Sequence, residues 1–258
     1  MEFFTILFST LIGLISPAGF ITDHVAESAI RKQLKGVEQL QIRIDNTPSY
    51  QLLNGRIEHV RIAGRGLFPE KEMRIALLEV ETDPIALDAQ RIRKGKFRLK
   101  QPLQAAIKVA LTEADINQAL RSPIIAKRFR KLGIDLLKGT DAEGIKRYNL
   151  INPTVDFLGN NRLRLQVELQ ERGYPDRLMI LTEATLKLER GRYIVLVEPI
   201  VEVNGEKVPA RLVKSIAQGV SDRLDLNRWA KGKILARILQ LELTTDQLNL
   251  AAFTRIEP

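Results

Sequence analysis

Residues 162–169 read Arg162-Leu163-Arg164-Leu165-Gln166-Val167-Glu168-Leu169. Strict alternation over this length fits only the two-residue period of a strand with one apolar and one polar face. Gly159-Asn160-Asn161 precedes it and is a strong hairpin signal. Two further strand-like segments follow, 178–189 and 192–203, separated by Arg190-Gly191 and closed by Asn204-Gly205. Residues 145–157 also read as extended. Neighbouring strands joined by tight turns must pair antiparallel, so this half of the chain is a meander with one wet face.

The first half carries the same signature. Leu40, Ile42 and Ile44 alternate with Gln39, Gln41 and Arg43. Ile57, Val60 and Ile62 mark a strand over 56–63, and Gly64 and Gly66 predict a bend or bulge after it. Residues 73–82 form another strand that Asp83-Pro84 stops. Residues 22–36 hold a helix with Ala26, Ile30 and Leu34 on one face.

At 104–138 a strand delivers the chain into helices. Residues 106–111 are extended, and Thr112 starts a helix with Asp115 in the capping-box position. Ile116, Ala119 and Leu120 share a face, and Pro123 ends the helix near Ser122. Ile125, Phe129, Leu132 and Leu136 then make one apolar stripe, opposite Lys127, Arg128, Arg130, Lys131 and Lys138. Such a helix either packs on a core with a solvated basic face or meets anionic lipid.

Near the C-terminus, Val208, Leu212, Ile216, Val220 and Leu224 step by four, which predicts a long helix from Pro209 with that stripe buried. Residues 234–243 return to strand, with Leu239, Leu241 and Leu243 alternating. LTTDQLN at 243–249 resembles LTEADIN at 111–117, which would allow a second capped helix. Alternation on both sides of the second copy favours a hairpin there instead.

Composition excludes several functions. The 258 residues carry no cysteine, which removes disulfides, thiolate metal sites and cysteine nucleophiles. Only His24 and His59 could serve a zinc site or a serine triad, and neither has partners in sequence. No dinucleotide, P-loop, HExxH or GxSxG pattern occurs. Glu113 and Asp115 are explained as helix-start residues, so no catalytic residue, metal or cofactor is expected. Net charge is +9, with six basic residues and no acid between Arg91 and Lys100. Aromatics are only 5%, and no DNA- or RNA-binding motif accompanies the charge, which argues against nucleic acid.

Residues 3–21 are the most apolar segment. At roughly 1.5 Å per residue a helix of this length approaches the thickness of a bilayer core. Thr, Ser and Gly residues dilute it, Pro17 and Gly19 break its end, and Glu2 stands where a signal peptide carries lysine or arginine. Arg31, Lys32 and Lys35 follow it, favouring the cytoplasmic face. We read 1–21 as a membrane-contacting or groove-covering segment, with a cleaved signal as the other reading, and 22–258 as one domain.

Several stretches together resemble the LmeA-type family of phospholipid-binding proteins, in a cyanobacterial-looking branch. They are ESAIRKQL leading into VEQLQIRIDN, then YQLLNGRIEHVRIAGRGL, LLEVETDPIALD and, most specifically, VALTEADINQAL. RLRLQVEL and the helix ending RLDL match more weakly. The chain departs from the pattern at Asn46–Tyr50, where other branches resemble a Gly-Phe-Pro-Phe turn. The resemblance implies an α+β fold similar to tubular lipid-binding modules: a strongly curved antiparallel sheet wrapped around a long helix. It also implies non-enzymatic lipid binding or transfer in a membrane envelope or thylakoid. In that reading Ile116, Leu120, Ile124 and Phe129 line an apolar cavity, and Arg128, Arg130 and Lys131 form a basic rim for phosphate. The partner is then a phospholipid or an anionic membrane surface. The alternative is a membrane-anchored adaptor that docks an envelope protein through its basic face.

Overall fold

A computed structural model describes residues 23–45, 51, 54–92, 98–122, 148–171, 173–224, 226 and 234–258. In chain order the elements are α1 (Asp23–Gln33), β1 (Gly36–Asp45), β2 (Arg56–Ile57), β3 (His59–Glu70), β4 (Met73–Thr82), β5 (Ile85–Ala86), α2 (Ala89–Ile92), β6 (Leu103–Thr112) and α3 (Glu113–Leu120). Then come β7 (Tyr148–Gly159), β8 (Arg162–Glu171), β9 (Arg177–Glu189), β10 (Tyr193–Val203), β11 (Glu206–Lys207), α4 (Ala210–Arg223), β12 (Ile234–Leu243) and β13 (Gln247–Ile256). Strand dominates, its reported pairings are antiparallel, and a few helices accompany it, so the class is α+β. The chain divides into two compact units: 1–110 with 226–240 and 250–258, and 111–225 with 241–249.

The first unit is built on a six-stranded sheet in the order β1-β3-β4-β6-β13-β12. Register places Ile42 opposite Ile62, Ile62 opposite Val80, and Val80 opposite Ile107. All four are buried in one cluster with Leu40, Val60 and Leu78. Burying each such side chain stabilises the fold by about 1.5–3 kcal/mol. Ile30 and Leu34, the face expected of the first helix, join this cluster, and Arg31 donates to the Leu40 carbonyl of β1 at 3.4 Å. One position down, Arg43, Arg61, Glu81 and Ala106 make the next cross-strand row, on the opposite face.

The glycines at 64 and 66 do not end β3. The strand runs through both, and its register with β1 is unbroken across them. Gly66 adopts φ +57° inside the strand, and the Glu38 side chain lies where a Cβ would stand, so both the backbone and the space suit glycine. The basic run at 91–100 is described only at its ends: Arg91 lies in α2, and Leu99 bridges to Leu87 beyond the undescribed residues.

The second unit holds the meander, in the order β11-β10-β9-β8-β7. Its tight turns have left-handed backbone at Asn160 and Asn161, Arg190 and Gly191, and Asn204 and Gly205; asparagine and glycine adopt it readily, and Arg190 is the exception. The last of these turns into the short strand β11 rather than ending the sheet. Two irregularities match one another. Asn152 and Glu198 each precede a proline, each has positive φ, and each sits at a shift of register, one in β7 and one in β10. A proline cannot donate to the ladder, so the strand bulges there and is free to bend.

One face of this sheet is apolar. Phe157, Leu163 and Ala184 form one cross-strand row, and Val167, Ile180 and Val203 another. Its dense part is a core of Leu120, Val155, Phe157 and Leu243, with Ile116, Leu163, Leu165 and Leu248 packed against it. The expected wet face of β8 is only half-exposed, because Arg162 and Arg164 both pair with Glu183 of β9 at 3.1 and 2.7 Å.

Candidate functional site

The helix after Thr112 is as the sequence required. The Thr112 side chain accepts from the Asp115 amide at 3.1 Å, and Asp115 accepts from the Thr112 amide at 3.1 Å, completing a capping box. Glu113, read from sequence as a helix-start residue, and Asn117, which sequence pattern does not single out, have a second task. Asn117 accepts from the Val155 amide at 2.7 Å and donates to the Val155 carbonyl at 2.8 Å, and Glu113 accepts from the Phe157 amide at 2.7 Å. These backbone groups belong to the outer strand β7, so α3 satisfies an edge that would otherwise be an open pairing template. Glu113 is thus a structural carboxylate.

Two sequence-predicted lining residues lie on this helix. Leu120 is buried and Ile116 packs beside it, both against Val155 and Phe157. The other five, Ile124, Phe129, Arg128, Arg130 and Lys131, lie outside the described residues, as do the apolar segment 1–21 and the amphipathic stripe from Ile125 to Leu136.

Toward the other end of this sheet, α4 packs against β10, which the two-residue outer strand β11 covers only at Glu202 and Val203. The expected stripe is shifted by one residue. Val213, Ala217 and Ser221 are buried, whereas Leu212 remains 49% exposed and Ile216 and Val220 are half-buried. The cause is the size of the gap. The β10 backbone comes close enough for Ser221 Oγ to accept from the Leu196 amide at 3.2 Å, so small residues must face the strand. Periodicity reports the apolar arc of a helix, and here it could not tell which edge of that arc touches the sheet.

A groove of about 590 Å³ runs between α4 and β10. Val195, Val197, Ile200, Val208, Val213 and Ala217 give it aliphatic walls, and Glu198, Lys207 and Lys214 also line it. The volume is in the ordinary range for a small-molecule site. Ile200, 38% exposed, is part of that wall. The Glu198-Pro199 bulge lies within it. Sequence reasoning missed this groove. Its one signal was Glu198-Pro199 inside an otherwise regular strand, which marks an edge position.

A larger groove of about 850 Å³ lies on the first unit, over the row of Arg43, Arg61, Glu81 and Ala106. Its charges satisfy one another. Arg61 pairs with Asp45 at 2.9 Å and Glu81 at 3.0 Å, Arg43 with Asp45 at 2.7 Å, and Lys108 with Glu79 at 3.6 Å. The hydrogen bond from Arg43, and then the charges of Arg43 and Arg61, hold the Asp45 carboxyl below the usual aspartate range. This is a self-neutralised surface rather than a site poised for a charged ligand.

Among the described residues that line the two grooves there is no histidine. His59 donates through Nδ1 to the Thr82 carbonyl at 2.9 Å, a bond that orients the ring within its sheet. Among the described residues no group of His, Asp and Glu could hold a metal ion, and no helix is long and apolar enough to cross a membrane.

The structure thus sets an aliphatic groove with charged groups along it in an antiparallel α+β protein. The chain belongs to the LmeA-like phospholipid-binding family, whose model matches residues 14–253. No curated protein and no solved structure matches it. The family is defined by binding phospholipid rather than by a reaction.

Proposed function

We propose that this protein is a non-enzymatic phospholipid-binding protein acting at a membrane, and that an acyl chain of the lipid occupies the groove between α4 and β10. The observation that supports this is the aliphatic wall of the groove in a chain of this family. Each buried CH₂ of a chain contributes about 0.8 kcal/mol and needs no directional bond, so valines and alanines are sufficient lining. Lys207 and Lys214 supply the basic rim, in place of or together with Arg128, Arg130 and Lys131.

Native mass spectrometry of gently purified protein, with extraction and identification of bound lipid, tests this. One phospholipid per chain, lost in Ala217→Trp, is the expected result. A ligand-free mass that stays unchanged after incubation with phosphatidylglycerol vesicles would overturn it.

A further inference from the structure

We infer that the groove between α4 and β10 selects a phosphodiester that carries an ammonium group, as in phosphatidylethanolamine, over a purely anionic phospholipid. This inference rests on the phospholipid reading of the same groove. It comes from three side chains, Glu198, Lys207 and Lys214, which line the groove together. All three are exposed, and none forms an ion pair or side-chain hydrogen bond with another described residue. The groove of the first unit is the contrast, since Arg43, Arg61 and Lys108 there are each neutralised by a carboxylate.

Two lysines and one glutamate match a zwitterion. Lysine ammonium groups make charge-assisted hydrogen bonds to phosphodiester oxygens. A carboxylate in the same groove repels a purely anionic headgroup and accepts hydrogen bonds from an ammonium. The placement of Glu198 carries the argument further. Its backbone lies at φ +48°, directly before Pro199 and at the break in register between Val197 and Ile200. A non-glycine residue is held in that region only where its surroundings enforce it, and such positions concentrate at functional sites. Glycine or asparagine would relieve the backbone at such a bulge, and the residue present is a glutamate that lines the groove.

The experiment offers the whole protein vesicles of equal parts phosphatidylethanolamine and phosphatidylglycerol with matched chains. Native mass spectrometry then reads the ratio of the two lipids bound. The wild type is expected to favour phosphatidylethanolamine about two- to fivefold, the size of an exposed ion pair. Glu198→Gln should bring the ratio to about one. Lys207→Gln with Lys214→Gln should lower both lipids. Water-soluble glycerophosphoethanolamine at the same concentration should not displace bound lipid, because it lacks the chains. A wild-type ratio at or below one overturns the inference, and so does a ratio that Glu198→Gln leaves unchanged. Displacement by the soluble headgroup would show a free phosphodiester site instead. Failure to bind either lipid would remove the phospholipid reading itself, a result distinct from binding without preference.

Discussion

Two residues show what single positions contribute beyond their type. Gly66 lies in β3 at φ +57°, and a Cβ there would collide with the Glu38 carboxylate. That carboxylate is held by Arg74 through hydrogen bonds of 2.9 and 3.0 Å, so it cannot move aside without losing them. Gly66→Ala should therefore destabilise by about 1–3 kcal/mol, read as a lower denaturant midpoint at unchanged slope. Asn161 is read from sequence only as a turn residue. In the structure its side chain accepts from the Leu243 amide at 2.6 Å, and its own amide donates to the Leu243 carbonyl at 3.0 Å. Asn161→Gly keeps the left-handed turn and loses the side-chain bond, for about 1–3 kcal/mol. Asn161→Ala should cost about 1–2 kcal/mol more, because alanine also resists the positive φ. If the two variants unfold alike, the turn conformation is not what asparagine provides. Local pattern names a turn, and only the fold shows which distant strand the turn residue also serves.

At the scale of elements, the strands were legible because alternation is a local property with a long run behind it. The pair of similar segments is instructive. LTEADIN becomes a capped helix, whereas LTTDQLN becomes the turn between β12 and β13, with the Thr244 hydroxyl accepting from the amides of Asp246 and Gln247 at 3.3 and 3.2 Å. The threonine does similar capping work in both. What differs is the next stretch, which continues as helix through Leu120 in one case and as alternating strand through Ile256 in the other. The α3 helix also carries a prediction. Asn117→Leu removes both bonds to Val155 and leaves an edge amide and carbonyl unmatched, so the second unit should lose about 1–3 kcal/mol. Amide hydrogen exchange at Val155 and Phe157 should accelerate more than at residues of β9; uniform acceleration would mean that α3 does not seal that edge locally. Between β8 and β9, the hydrogen bond from Arg164, then that from Arg162, keeps the Glu183 carboxyl below the ordinary glutamate range despite its burial. Protonating Glu183 is therefore harder in the folded than in the unfolded chain. Its stabilisation is complete above the unfolded value of about 4.3 and fades as pH falls through the depressed folded value. Glu183→Gln should melt below the wild type at pH 7, and the gap should narrow as the pH falls below about 4.3. A gap that stays constant across that range would assign the loss to packing instead of charge.

For the molecule as a whole, α+β class and antiparallel pairing followed from sequence, but the partition into two units did not. No glycine- or proline-rich linker marks it, because three of its four cuts fall inside the continuous strands β6, β12 and β13. Strand β12 shows the consequence. Its residues 234–240 belong to the first unit, where Ile238 is buried and Leu239 is 64% exposed. Residues 241–243 belong to the second, where Leu243 is buried at 1% exposure. The alternation of Leu239, Leu241 and Leu243 is real, yet the buried face changes parity along the strand, which no fixed period can express. A core assembled from discontinuous pieces also makes a firm prediction. A fragment of residues 111–225 keeps the whole meander, α3 and α4, but it lacks Leu243 and Leu248 and leaves the Asn161 side chain without its partner. Removing a buried leucine alone costs about 2–5 kcal/mol, comparable with the total stability of a small domain. The fragment should therefore show no cooperative thermal transition by circular dichroism, and adding a peptide of residues 241–249 should restore one in a concentration-dependent way. A fragment that melts cooperatively without the peptide would show that the meander closes its own core, and that the C-terminal hairpin is dispensable to the unit that holds the groove.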